Sequence, residues 1–149
     1  MCSVVSEHVP VEQSDRLNVL VVGSNGWAID AAAVALESAG HRVLRCTEPG
    51  EPEFPCDALR AERGCPLDIG AGVDVVITMR AQPRSRPAPR EFGVTCGIRR
   101  DVPVVVAGRT MFHPFEDWAT ETVDGGVVEA AEKLVRACER AAQPRHEPM

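Results

Sequence analysis

The stretch Leu17-Asn18-Val19-Leu20-Val21-Val22-Gly23 decides the fold. A β-branched run of this kind, closed by glycine, predicts a strand buried on both faces, as in a parallel sheet. A helix should follow, capped by Ser24-Asn25 and stopped by Gly40 in a left-handed conformation. Its apolar stripe repeats at helical spacing through Ile29, Ala32, Ala33, Leu36 and Ala39. The segment His41–Cys46 predicts the next strand, which completes a right-handed βαβ unit.

The same alternation continues to the end of the chain. Further strands are predicted at 73–78, at 102–108 and, more weakly, at 118–123. Helices are predicted from Pro89 to Arg100 and from a cap at Asp124 to Ala141. The sequence therefore predicts an α/β, three-layer, doubly wound domain with a four- or five-stranded parallel sheet in the order 2-1-3-4-5. It should span residues 16–142 between irregular tails at 1–15 and 143–149.

Composition excludes several classes of protein. The chain has 149 residues, 44% of them apolar, and a net charge of −6. It has no apolar window long enough to cross a membrane, and its first residues lack the basic and apolar regions of an export signal. We therefore expect a cytoplasmic protein, with no nucleic acid or membrane as partner, because both would repel its average surface.

The architecture resembles the flavodoxin-like and receiver-like class over residues 16–142. Receiver domains carry acidic residues after the first strand and a phosphoacceptor aspartate at the end of the third. Here those places hold Ser24-Asn25 and Thr78-Met79, and Lys133 lies deep in the last helix rather than near the fifth strand. The resemblance thus implies a fold without that family's catalytic motifs, and no residue set in the chain predicts an enzyme.

Cysteines give the first candidate site. Four cysteines fall near the carboxyl edge of the predicted sheet, namely Cys46, Cys56, Cys65 and Cys96. At the same edge, His113 could add a nitrogen ligand. Thiolates are soft ligands for iron–sulfur clusters and for zinc. Although no C-x-x-C pair is present, this pattern predicts a non-catalytic protein that holds an iron–sulfur cluster or zinc in a sensing or accessory role.

Other interpretations of the cysteines remain open. Cys138 lies on the apolar stripe of the last helix and is predicted to be core, and Cys96 is either ligand or core. Cys56 and Cys65 could instead form a reversible disulfide.

A second candidate site would bind an anion. The predicted turn Gly23-Ser24-Asn25-Gly26 would point backbone N–H groups and the positive end of a helix dipole at a bound ligand, which suits an anion. The loop after the third strand adds Arg84, Arg86 and Arg90 between prolines. Together they predict a nucleotide- or phosphate-binding module, or a site for an acidic protein, although such arginines can also be solvated.

The two tryptophans and His41 also carry predictions about their environment, and one alternative for function remains. Trp27 and Trp118 are predicted to be plugs over a small core. His41 is predicted to be a solvated strand end at the amino edge. A protein-interaction subunit without a small ligand, including a homodimer, is the remaining alternative for function.

Overall fold

A computed structural model describes residues 16–23, 26–46, 65, 67, 72–80, 91–108, 113–125 and 130–143. Within them, five parallel strands form one sheet in the order β2-β1-β3-β4-β5, which confirms the predicted fold class and strand order. The strands are β1 (Asn18–Gly23), β2 (Arg42–Leu44), β3 (Val75–Arg80), β4 (Val104–Gly108) and β5 (Glu121–Asp124). The helices are α1 (Gly26–Ser38), α2 (Phe92–Arg99) and α3 (Ala131–Ala142), with a 3-10 turn at Glu116–Trp118.

The order in which the chain adds strands to the sheet reverses between β1 and β3. From β1 the chain moves outward to β2 at one edge, and then returns to add β3, β4 and β5 on the other side of β1. Gly23 pairs with Met79, and Arg80 pairs with Gly108, so the carboxyl ends of the three central strands lie side by side. Doubly wound sheets bind their ligands at this point.

The first side of the sheet packs beneath α1 and α3. Its core joins alternate strand residues, such as Val75, Ile77 and Met79 of β3, to apolar residues of both helices. Leu36 and Leu134 are fully buried there, because each lies on the face of its helix that meets the sheet.

The second side packs beneath α2. Two glycines allow this eight-residue helix to approach the strands closely. A Cβ added at Gly97 would lie 2.7 Å from Cγ2 of Val76, and one added at Gly93 would lie 2.8 Å from Sγ of Cys46. Larger side chains at these two positions would push α2 away from the sheet.

Among the boundaries that differ from the prediction, two have a clear physical reason. The third strand continues past Thr78 to Arg80, because Arg80 is neutralised by a buried partner and remains inside the sheet. Asp124 does not cap the last helix, since it is the final residue of β5 and pairs with Gly108. That helix is described from Ala131 onward.

Three predicted environments are also wrong. Trp27 and Trp118 are 61% and 60% exposed, so neither side chain plugs the core. His41 is only 4% exposed. Its Nδ1 accepts a hydrogen bond from the backbone N–H of Leu17 at 3.1 Å, and its Nε2 lies 2.8 Å from Oε2 of Glu139.

Within the described segments, no helix is both long and apolar enough to cross a membrane.

Candidate functional site

Four buried polar side chains meet at the carboxyl edge of the sheet, on the α2 side. Thr78 and Arg80 come from the end of β3, Glu91 precedes α2, and His113 follows β4. We call these four residues the polar cluster. Each is at most 4% exposed, whereas polar side chains are ordinarily found at the surface.

An ion pair between Arg80 and Glu91 forms the centre of the polar cluster. Nη2 of Arg80 donates to Oε1 of Glu91 at 2.6 Å, and Nε donates to Oε2 at 2.9 Å. The hydroxyl of Thr78 donates to the same Oε2 at 2.5 Å. A bidentate pair with additional hydrogen bonds offsets much of the cost of removing two charges from water.

His113 lies beside this pair with one ring nitrogen unsatisfied. Its Nδ1 accepts a hydrogen bond from the backbone N–H of Phe115 at 3.1 Å, so the proton of the neutral ring is assigned to Nε2. That Nε2 lies 3.7 Å from Oε2 of Glu91, and it has no hydrogen-bond partner among the described residues. Burial, together with the nearby charge of Arg80, lowers the pKa of His113 to about 4, although the carboxylate of Glu91 acts in the opposite direction.

The polar cluster joins the residues on either side of segment 81–90 and lies beside the end of β4. Arg80 is the last residue before segment 81–90 and Glu91 is the first residue after it, so their ion pair joins the base of that segment. Gly108 lies against Arg80 with a φ of 92°, and a Cβ there would collide with the Arg80 carbonyl oxygen. The arrangement neutralises its own charges and is suited to positioning backbone.

Most of the predicted metal ligands lie on the α2 side of the sheet. Cys46 packs against the core cluster beneath α2, and Cys96 lies within α2, with both side chains partly buried. Cys65 is also partly buried, while Cys56 lies outside the described residues. Among the residues that the structure describes, no group of three or more His, Cys, Asp or Glu could hold a metal ion. The metal centre therefore stays a prediction.

Cys138 behaves as predicted from its position on the apolar stripe. It is fully buried among the core residues beneath α1 and α3. Burial raises the pKa of its thiol to about 12, and Glu139 adds to the shift. Cys138 is thus a protonated, inert core residue.

The predicted anion site is described only in part. Gly23 ends β1, and a Cβ there would collide with the carbonyl oxygen of Met79, so only glycine fits this close approach of β1 to β3. Gly26 begins α1. The remaining predicted residues lie outside the described part of the chain: Ser24, Asn25, Arg84, Arg86 and Arg90.

The polar cluster is not among the sites predicted from the sequence, although one signal for it is present. Residues 76, 78 and 80 share a face of β3 by strand alternation, so a threonine and an arginine follow a buried valine there. Polar residues at buried positions of one strand require partners, and Glu91 at the start of the next helix is a carboxylate within reach of the chain.

The sheet and its helices form a small α/β domain of flavodoxin-like architecture, with five parallel strands and three helices in its described part. No protein-family model matches this chain, and no curated protein matches it.

Proposed function

We propose that this domain binds a small anionic ligand, of the nucleotide or phosphate class, at the carboxyl edge between β1 and β3. The supporting observation is the pairing of Gly23 with Met79 at the reversal of strand order. It brings the end of β1 at Gly23 and the start of segment 81–90 to neighbouring points of the edge.

The turn and the segment supply complementary groups for an anion. The amino end of α1, a helix of 13 residues, offers backbone N–H groups and the positive end of its dipole. Segment 81–90 contains Arg84, Arg86 and Arg90, and guanidinium groups form bidentate hydrogen bonds with phosphate.

The polar cluster has a positioning role in this proposal. Because the ion pair of Arg80 with Glu91 joins the residues on either side of segment 81–90, it fixes the positions at which the segment leaves and re-enters the described fold. Fewer conformations in the free protein mean less entropy lost on binding.

Thermal-shift measurements with inorganic phosphate, ADP and GDP test this function. Stabilisation follows RT ln(1 + [L]/Kd), which gives about 2.7 kcal/mol at a ligand concentration of 100 Kd. We expect at least one of these ligands to raise the midpoint of unfolding. The triple variant Arg84→Ala, Arg86→Ala, Arg90→Ala should abolish that rise.

The matched control removes three exposed arginines elsewhere, with Arg42→Ala, Arg99→Ala and Arg136→Ala. The net charge changes equally in both variants, so they differ only in which arginines are removed. The control should keep the ligand-induced rise, because its arginines lie outside segment 81–90. Equal loss in the two triple variants would indicate nonspecific attraction, and no rise with any of the three ligands would reject the function.

A bound iron–sulfur cluster or zinc is the second candidate function. Cys46 and Leu67 pack against the same core cluster beneath α2, and Cys65 is only two residues from Leu67. This favours a shared location for two of the predicted ligands. After anaerobic purification, metal analysis should find near-stoichiometric iron or zinc, which Cys46→Ala should remove and Cys138→Ala should retain. Metal-free, colourless wild type would reject this candidate.

A further inference from the structure

The outer face of α1 is unusually apolar for a surface helix. Trp27 is 61% exposed and Val34 is 63% exposed, and the two lie seven residues apart, on the same side of the helix. Ala31, Ala35 and Ser38 continue this side of α1. We call these five residues the outer stripe.

The other helix on the same side of the sheet is different. α3 exposes Glu132, Lys133, Arg136 and Arg140, so its outer face is charged, as expected for a helix in water. α1 buries Ala28, Ala32 and Leu36 against the sheet, and it is apolar on the opposite side as well. A helix with apolar side chains on two opposite faces is typically covered on both of them.

A groove runs beside the outer stripe, between α1 and α3. It has a volume of about 520 Å³, and its walls include Ala35, Ala39, Ala131 and Val135. Such small side chains allow the backbone of a third helix to approach closely and to pack in the groove. The outer stripe would then meet the large apolar side chains of that helix.

Carboxylates lie on both sides of this surface. Asp30 and Glu37 are exposed on one side of the outer stripe, while Glu132 and Glu139 line the groove on the other side. Two arginines accompany them. Arg45 lies 2.9 Å from Asp30, and Arg136, which also lines the groove, lies 3.9 Å from Glu132. Glu139 contacts Nε2 of His41 at 2.8 Å. The four carboxylates outnumber the two guanidinium groups, so the complementary partner is basic.

We propose that the outer stripe and the groove between α1 and α3 bind an amphipathic α-helix of a partner protein, with an apolar face flanked by lysine or arginine. The apolar face would cover Trp27 and Val34, and the basic flanks would meet the carboxylates on each side. This is a helix-in-groove interaction.

A second copy of this chain fits the surface less well. In an antiparallel, twofold pairing of α1 with α1, each flank of the helix faces the same flank of its partner. The side that carries Asp30 and Glu37 would then face its own copy, which places like charges together.

The test uses two 18-residue helical peptides with identical leucine positions, one with lysine and one with glutamate on the polar face. The protein carries Trp118→Phe, so that Trp27 is the single remaining fluorophore of the two tryptophans. We expect the lysine peptide to change the Trp27 emission and to bind at least tenfold more tightly than the glutamate peptide.

The substitution Val34→Asp separates docking from general attraction to an acidic protein. It adds negative charge but removes an apolar contact, so docking predicts at least tenfold weaker binding of the lysine peptide. Thr95→Asp adds the same charge at an exposed position of α2 and should leave the affinity within twofold. If Val34→Asp unfolds the protein, Val34→Ser replaces it, with the same expectation.

Three results would overturn the proposal. The first is equal or tighter binding of the lysine peptide to Val34→Asp, which would mean charge attraction alone. The second is equal binding of the two peptides to the wild-type surface. The third is a dimer in sedimentation equilibrium that Val34→Asp dissociates, because the occupant would then be a second copy.

Discussion

The two sides of the sheet bury different chemistry near its carboxyl edge. Beneath α1 and α3, β3 contributes Val75, Ile77 and Met79 to an apolar core. Beneath α2, the same strand contributes Val76 and then two residues of the polar cluster. One strand thus has an entirely apolar face and a face that becomes polar as it approaches the edge.

The two sides are therefore stabilised in different ways. The first side is covered by helices of 13 and 12 residues, and its stability depends on volume and close packing. The second side is covered by a helix of only eight residues, and the groups at its edge require one another as partners. Substitutions should therefore act by different mechanisms on the two sides.

The largest effect is expected at the ion pair. Glu91→Ala leaves the guanidinium of Arg80 buried without this carboxylate, so the free energy of unfolding should fall by about 3–5 kcal/mol. Urea unfolding measures the loss. The double variant Arg80→Met, Glu91→Leu should recover most of it, because two apolar groups replace both charges. A double variant as unstable as Glu91→Ala would contradict a role in charge compensation.

The next largest effect is expected in the apolar core on the other side. Leu134 is fully buried, and Leu134→Ala should cost about 2–5 kcal/mol through lost burial and the cavity that remains. The cost should be the same at pH 5 and pH 8, because no titratable group is removed. A pH-dependent cost at this position would contradict the separation of the two sides.

On the α2 side of the sheet, His113 should make the free energy of unfolding depend on pH. Its pKa is about 4 in the folded protein and near 6.5 when unfolded, so the unfolded chain binds the proton more readily. The associated stability is complete above about pH 6.5 and declines as the pH falls toward 4.

The expected contribution of His113 is a loss of about 2 kcal/mol between pH 8 and pH 5. His113→Gln removes the titrating ring and should show a shallower decline in the free energy of unfolding over that range. Identical slopes in the wild type and the variant would show that other groups carry the dependence.

The smallest effect is expected on the surface of α1. Because Trp27 is largely exposed, Trp27→Ala should change the free energy of unfolding of the isolated domain by about 0.5 kcal/mol or less. A loss above about 2 kcal/mol in thermal or urea unfolding would mean that Trp27 stabilises the domain itself.

Much of the fold could be predicted from local pattern. The strand at 17–23 and the helix that ends before Gly40 follow from β-branched runs, helical spacing and the left-handed glycine, whose φ is 95°. The buried position of Cys138 follows from helical periodicity in the same way. These features depend on residues near one another in the chain, so a single sequence carries them.

The predictions were wrong where the environment of a side chain depends on residues far away along the chain. His41 was predicted to be a solvated strand end, yet it bonds to Glu139, which lies 98 residues later. Trp27 and Trp118 are predicted to be plugs over a small core, and only the tertiary structure shows that both side chains face outward. The candidate ligand residues at 84, 86 and 90 stay predictions.

From the sequence alone follows an α/β domain with a parallel sheet, since hydrophobic periodicity reports which faces of each element are buried. The order 2-1-3-4-5 was predicted as the simplest doubly wound arrangement, and the structure confirms it. Only the tertiary structure decided that Arg80, Glu91, Thr78 and His113 share one buried site at the edge. Burial of a charge is favourable only when a partner lies at the right distance and angle, and that geometry exists only once the strands and α2 have packed.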